Sequence, residues 1–140
     1  MSQQKELQRF LDAQASSYQT ALSEIKSGRK RSHWMWYIFP QIQGLGFSET
    51  AQYYAVSNLA EARAFLAHPV LGSRLVAICR ELLNLKSNDA HGILGSPDDI
   101  KLKSSMTLFA ALQTDAVFQQ VLDKFYGGAA DEKTLALLQH

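Results

Sequence analysis

Basic, aromatic and glycine residues are concentrated between positions 28 and 47 of this sequence. The segment reads GRKRSHWMWYIFPQIQGLGF, and no acidic residue occurs from Ile25 to Ser48. Half of the chain's fourteen aromatic residues lie between His33 and Tyr54. Lysine and arginine donate hydrogen bonds to phosphate, and aromatic side chains offer faces on which a base can stack. This combination favours a site for a phosphorylated nucleoside.

Six side chains are the candidates for binding such a ligand. Arg29 and Lys30 are expected to hold phosphate, helped by Lys103 from a second polar group at positions 101–105. The aromatic residues expected to stack on the base are Trp34, Trp36 and Tyr54. The alternative is that the tryptophans are core residues and the basic side chains form a solvated corner or helix face.

Two side chains are candidates for proton transfer. Histidine side chains can exchange a proton near neutral pH, which makes His33 a candidate, and Glu49 follows the pair of glycines at 44 and 46. A carboxylate beside aromatic walls can have a raised pKa, so either group could activate water against the anomeric carbon of a nucleoside. The alternative for Glu49 is an exposed position in the first turn of a helix capped by Ser48, where the helix dipole favours an acid.

Metal and cofactor chemistry find little support in the residue pattern. The four histidines have no paired spacing, and Cys79 is the single cysteine, which excludes an intrachain disulfide. Because Cys79 lies in the apolar run from Leu75, we interpret it as a small core residue. The sequence therefore predicts neither a metal site nor a bound cofactor.

The composition is that of one folded domain. The chain has 140 residues, of which 46% are hydrophobic and 19% charged, and its formal net charge of +1 excludes a polyanion-coating role. No apolar run reaches the roughly 20 residues of a membrane span, and Met1 to Phe10 does not resemble a signal peptide. We therefore expect a cytoplasmic protein without a membrane partner; the pattern leaves the oligomeric state open.

Apolar residues recur with helical spacing through most of the chain. Residues 7–11 and 18–25 each form an apolar face, and we assign them to consecutive helices that end at Gly28. Capping patterns at Asn58 and Asp131 begin two further helices. Met35–Phe39 is the one stretch whose residue types favour an extended conformation. The prediction is a mainly α, compact single domain of about seven short helices over residues 1–140.

The basic-aromatic segment also carries a family resemblance. Residues 28–41 and the Gly44-Leu45-Gly46 that follows resemble the signature of a bacterial family filed as domain of unknown function 1810. The stretches 68–72, 101–109 and 131–135 resemble that family too, so the similarity covers nearly the whole chain. It implies a compact, mainly helical domain and no established activity.

A second resemblance, to the helical NADAR group, concerns residues 48–64 and 106–126. That group includes N-glycosidases of phosphorylated ribosylamino-pyrimidines and ADP-ribose-processing enzymes. Tyr53 and Tyr54 match its aromatic positions, and Ser48 stands for its hydroxyl. Glu49 is displaced from the acidic position, and Gln52 lies near the place of the histidine, so the resemblance implies ligand binding with a different or lost hydrolytic machinery.

Three hypotheses from different classes follow from these patterns, and the third is a structural or adaptor protein whose aromatic residues all belong to the core. The leading hypothesis is a protein that binds a nucleotide or an ADP-ribose-like small molecule, with N-glycosidase-like hydrolysis as its reaction. The alternative is a non-enzymatic module that binds nucleic acid or protein through the same basic and aromatic residues.

Overall fold

The computed structural model describes the backbone of residues 2–139 and the side chains of residues 6–139. In this part of the chain 66% of the residues are helical and no strand is formed. The helices are α1 (Ser2–Ser27), α2 (Met35–Ile38), α3 (Glu49–Tyr53), α4 (Leu59–Ala67), α5 (Leu71–Asn84), α6 (Ala90–Leu94), α7 (Asp98–Ala110), α8 (Val117–Tyr126) and α9 (Glu132–Leu138). The predicted mainly α class is confirmed, with nine helices over residues 2–139 in place of about seven.

Helix α1 is one continuous element where the sequence pattern predicts two. The polar residue Gln14 interrupts the apolar stripe in the sequence, but its side chain is buried between the turns that carry Phe10 and Tyr18. Its amide donates to the carbonyl of Tyr37 at 2.8 Å and accepts from Arg74 at 3.3 Å. A hydrogen-bonded glutamine therefore continues the buried face, since burial costs little once its polar atoms are paired.

Helix α7 forms the centre of the molecule. Most of its residues from 102 to 109 are buried, and it packs against α4, α6, α8 and α9. A chain of aromatic contacts crosses the core, with ring centroids 5.0 Å apart for Phe10–Phe65, 5.6 Å for Phe65–Phe109 and 5.5 Å for Phe109–Phe118. These rings join α1, α4, α7 and α8 into one core, and such pairs add to the stability gained from buried area alone.

The predicted helix caps lie where the sequence places them. The side chain of Asn58 accepts from the backbone N–H of Glu61 at 2.9 Å, and that of Asp131 accepts from Thr134 at 3.0 Å. Ser48 caps α3 by accepting from Ala51 at 3.1 Å. Each cap satisfies one of the N–H groups that a helix leaves unpaired at its start.

The extended conformation expected for Met35–Phe39 is wrong, because residues 35–38 form the single turn α2. The turn places Met35 and Ile38, which are three residues apart, together in the core. Trp36 lies on the other side of the turn and is only half-buried. Core packing thus overrides the strand preference of these residue types.

Helices α4 and α5 meet at a sharp bend of 85°. Taken together they have the length and apolar character of a membrane span, whereas no single helix within residues 2–139 does. Gly72, in the first turn of α5, lies directly against the carbonyl of Leu66 in α4. This close approach fixes the angle between the two helices.

Candidate functional site

A cleft of about 400 Å³ lies where four separate parts of the chain meet. We call it the Trp36 cleft; its wall combines α2, the loop before α3, the start of α7 and the start of α9. The lining residues are Trp36, Gln41, Leu45, Gly46, Phe47, Ser48, Ala51, Pro97, Ile100, Lys101, Ser104, Asp131 and Lys133. Its volume is within the range of roughly 300–1,000 Å³ that is typical of small-molecule sites.

The walls of the Trp36 cleft are aromatic and cationic. The Lys101 ammonium lies 4.6 Å from the centre of the Trp36 ring, a cation–π contact. Phe47 and Ile100 also line the cleft and are 83% and 58% exposed, which is unusual for large apolar side chains. Lys133 is exposed, and no carboxylate among residues 6–139 forms an ion pair with it. The cleft can therefore offer both a stacking surface and positive charge.

Hydrogen bonds and close packing within the fold hold the cleft residues in place. The backbone N–H of Asp131 donates to the hydroxyl of Thr107 at 2.8 Å, which ties the start of α9 to α7. The hydroxyl of Ser104 donates to the carbonyl of Ile100 at 3.2 Å. Gly46 packs so closely that a Cβ there would lie 2.6 Å from that of Ala51. These contacts tie α9 to α7 and hold the loop at Gly46 against α3.

Glu24 organises the basic-aromatic loop between α1 and α2. Its carboxylate accepts from the Arg31 N–H at 2.7 Å, from the N–H and hydroxyl of Ser32 at 3.0 and 2.6 Å, and from the indole of Trp34 at 2.9 Å. Burial alone would raise the pKa of Glu24, but the hydrogen bonds from Ser32, Arg31 and Trp34 outweigh it and lower the pKa to about 2. The carboxylate is therefore ionised at neutral pH and fixes the loop.

Trp34 and Lys30 do not fit their expected roles as ligand contacts. Trp34 is 1% exposed, so its indole has no free face on which a base could stack. The side chain of Lys30 is 8% exposed, and its ammonium pairs with Asp98 at 2.9 Å and donates to the carbonyl of Ser32. Neither side chain offers a free surface to a ligand in this structure, because this part of the loop is folded into the protein and its hydrogen-bonding groups are already paired.

Arg29 and His33 are exposed, but they lie outside the Trp36 cleft. Arg29 lines a separate depression together with His91 and the residues that follow it. His33 precedes α2, and its carbonyl accepts a hydrogen bond from the hydroxyl of Tyr37 at 3.2 Å. The structure therefore separates these two candidates from Trp36 despite their proximity in sequence.

Tyr54 and Lys103 are likewise separated from the cleft. Tyr54 packs among Phe10, Tyr37 and Tyr53, and its ring centroid lies 4.8–5.9 Å from theirs. The pKa of Tyr54 is raised, mainly because the side chain is buried and to a smaller extent because of the neighbouring tyrosines. Lys103 faces Tyr126, whose ring centre is 5.9 Å from the ammonium. Neither side chain lines the Trp36 cleft.

Glu49 is exposed at the first position of α3, next to Ser48 on the cleft wall. It does not itself line the cleft, and it does not meet His33 there. Of the eight side chains selected from the sequence, Trp36 alone lines this cleft. The two alternative candidates for proton transfer, Glu49 and His33, therefore do not converge on this cleft.

The sequence reasoning missed several residues of the cleft. Lys101 and Ser104 belong to the polar group at 101–105, but Lys103 was selected in place of Lys101. In a helix, residues two apart point to nearly opposite sides, so Lys101 lines the cleft and Lys103 does not. For the other polar residues of the cleft, the sequence gives no indication of a binding role. Asp131 is recognisable only as a helix cap and Lys133 only as a surface charge, and Gln41 has no distinguishing pattern.

Other depressions lie elsewhere on the described surface. The one beside Arg9 has polar walls, but Arg9 is fully engaged with Glu61 at 3.5 Å and with the carbonyls of Tyr53 and Ala55. Among residues 6–139, no group of three or more acidic, histidine or cysteine side chains could hold a metal ion. Cys79 is buried, and burial raises the pKa of its thiol.

Comparison with known proteins places this architecture in a family. The family described as "Protein of unknown function (DUF1810)" matches residues 4–138. The crystal structure of the conserved hypothetical protein Rv1873 from Mycobacterium tuberculosis is 45% identical in sequence and has a TM-score of 0.94. The match covers 96% of this chain and 97% of that one. No curated protein matches the chain.

Proposed function

Because this chain belongs to the DUF1810 family of proteins of unknown function, we propose a function from the chemistry of its Trp36 cleft. The cleft binds a phosphorylated nucleoside, such as a nucleotide or an ADP-ribose-like molecule. The observation that carries this proposal is the half-buried Trp36 with the ammonium of Lys101 4.6 Å from its ring centre, in a space of about 400 Å³. An aromatic face beside a cation suits a base joined to a phosphate.

Trp36 and Phe47 provide the apolar surface for the base in this proposal. Stacking of a base on an aromatic side chain contributes roughly 1–3 kcal/mol. Water is excluded best where the rings of Trp36 and Phe47 both contact the ligand. The high exposure of Phe47 is then explained, because the ligand covers it in the complex.

Lys101 and Lys133 provide the positive charge. Lys101 is paired with Asp98 at 3.5 Å, a longer contact than the 2.9 Å between Asp98 and Lys30. Asp98 is therefore neutralised chiefly by Lys30, and the charge of Lys101 remains available to a phosphate. Lys133 has no competing ion pair among the described residues.

Intrinsic fluorescence tests this proposal, since only Trp36 of the two tryptophans lies in the cleft. We expect AMP, UMP, ADP-ribose or NAD to quench the emission, and Trp36→Phe to abolish the quenching while the Trp34 emission remains. Lys133→Ala should weaken binding, whereas Lys86→Ala, which removes an exposed lysine outside the cleft, should not. Absence of quenching by all four compounds at millimolar concentration would refute the proposal.

Hydrolysis of the N-glycosidic bond is the catalytic part of the proposal. Glu49 is its candidate, because it adjoins Ser48 on the cleft wall. Release of free base from AMP, UMP and NAD, followed by chromatography, tests it. A release that Glu49→Gln abolishes without loss of binding supports hydrolysis; binding without any release limits the function to recognition.

The alternative function is the non-enzymatic module that binds nucleic acid or protein. Its support is the exposure of Arg29 together with Phe47 and Tyr53, which are 83% and 60% exposed. RNA binding whose affinity falls steeply with salt would favour this function, because counterion release dominates contacts to a phosphate backbone. Titration of a single-stranded RNA at two salt concentrations distinguishes it from small-molecule binding.

A further inference from the structure

Among residues 6–139, Asp131 is the one carboxylate that lines the Trp36 cleft, and the lining also includes two lysines and two serines. A phosphate is attracted by the lysines and repelled by this carboxylate. A ligand that fits the whole wall therefore needs a neutral part that donates hydrogen bonds, in addition to its anionic part.

One of the two oxygen atoms of Asp131 is already used within the fold. Its Oδ2 accepts from the backbone N–H of Thr134 at 3.0 Å and from the Thr134 hydroxyl at 2.6 Å. The backbone N–H of Asp131 donates to Thr107, whose hydroxyl in turn donates to the carbonyl of Lys103 at 2.8 Å. Thr107 and Thr134 are both buried, so the carboxylate is fixed in orientation.

The other oxygen atom, Oδ1, has no donor among the described residues. Because Asp131 lines the cleft and its carboxylate is held by Thr134, this oxygen atom is an acceptor that remains open to a ligand. Vicinal hydroxyls donate well to a carboxylate, and in a phosphorylated nucleoside the sugar that carries them lies between the base and the phosphate.

From this geometry we propose that Asp131 recognises a ribose hydroxyl and makes the Trp36 cleft selective for nucleotides that carry both ribose hydroxyls over their 2′-deoxy or 3′-deoxy forms. The inference rests on the proposed function and specifies its substrate class. Gln41 also lines the cleft and can hydrogen-bond to the second hydroxyl. A hydrogen bond to a charged acceptor corresponds to an affinity difference of roughly ten- to a hundredfold.

The test compares the affinities of AMP and UMP with those of their 2′-deoxy and 3′-deoxy counterparts by calorimetry. We expect at least one deoxy form of each pair to bind about tenfold or more weakly than the ribonucleotide. Asp131→Asn should remove this difference while keeping the fold, because asparagine caps helices as well as aspartate does. Asp131→Ser is the second variant, and the melting temperature of each variant checks folding.

The outcomes separate this inference from the function on which it rests. Equal affinity of ribo- and deoxyribonucleotides for the unaltered protein overturns ribose recognition and leaves nucleotide binding in place. A preference for ribose that persists in both Asp131 variants overturns the assignment to this residue. Failure of all the nucleotides to bind overturns the proposed function and the inference together.

Discussion

Trp34 and Trp36 are two residues apart and have opposite roles. Trp34 is buried and donates to Glu24 at 2.9 Å, with the Lys30 ammonium 5.1 Å from its ring centre. Trp36 is half-buried beside Lys101 in the cleft. The first tryptophan holds the loop and the second is available to a ligand, so their replacements should have different consequences.

We predict that Trp34→Ala lowers the free energy of unfolding by roughly 3–5 kcal/mol, as expected for a large core aromatic. Trp36→Ala should cost only about 1 kcal/mol, near the average for a point substitution, and should abolish ligand-dependent quenching. Urea denaturation followed by circular dichroism measures both. Equal losses of stability would mean that both indoles belong to the core.

The sequence predicts the residue types of the cleft better than their positions. The association of aromatic and basic side chains is visible in the sequence, but which tryptophan is buried depends on Glu24, ten residues before Trp34. Burial of Lys30 depends likewise on Asp98, which lies far along the chain. Partners of this kind are set by tertiary packing, which a local pattern does not encode.

At the scale of elements, the helix caps and ends follow from local rules and the exceptions have tertiary causes. Asn58, Ser48 and Asp131 cap the helices that the sequence assigns to them. The continuity of α1 depends on the partners of Gln14, and the turn α2 depends on the core positions of Met35 and Ile38. Local chemistry therefore predicts where helices begin more reliably than whether two of them join.

The bend between α4 and α5 gives a prediction at this scale. A Cβ on Gly72 would lie 1.9 Å from the carbonyl oxygen of Leu66, so Gly72→Ala must displace backbone. We expect it to lower the free energy of unfolding by about 1–3 kcal/mol, the usual cost of overpacking. The measurement is the midpoint of urea denaturation.

Gly92→Ala is the matched control for this prediction. A Cβ there would meet the side-chain oxygen of Asp89 at 2.7 Å, and a side chain can rotate away where backbone cannot. Gly92→Ala should therefore cost little or stabilise α6, because alanine is the better helix former. A loss as large as that of Gly72→Ala would contradict the explanation from backbone contact.

At the scale of the whole molecule, the cleft is assembled from segments that are remote in sequence. Positions 36, 41–51, 97–104 and 131–133 meet only because α7 lies at the centre of the fold. Ion pairs join two of these regions, because the carboxylate of Asp98 pairs both with Lys30 of the loop before α2 and with Lys101 of the cleft wall. Such convergence has no signal in a single sequence, which explains why Lys133 and Asp131 were not selected.

The hydrogen bonds of Glu24 predict how stability depends on pH. Because its pKa is lowered from its ordinary value of 4.5 to about 2 in the folded protein, its contribution is fully present above pH 4.5. The contribution should be lost as the pH falls from 4.5 towards 2. We predict that the melting-temperature difference between the unaltered protein and Glu24→Gln shrinks over this interval.

Glu81→Gln is the control for the pH series, since Glu81 accepts no hydrogen bond and forms no ion pair among the described residues. Its melting temperature should follow that of the unaltered protein at each pH. A difference between Glu24→Gln and the unaltered protein that stays constant from pH 6 to pH 2 would show that the Glu24 carboxylate does not hold the loop through its charge.

The most direct test of nucleotide binding in the Trp36 cleft is a nuclear magnetic resonance titration of the two indole N–H signals with AMP, UMP and ADP-ribose. Trp36→Phe assigns the signals by removing one of them. Binding in the cleft predicts a saturable shift of the Trp36 signal, with little change in that of Trp34, whose N–H is held by Glu24. An unchanged Trp36 signal at saturating concentrations of all three compounds would contradict it.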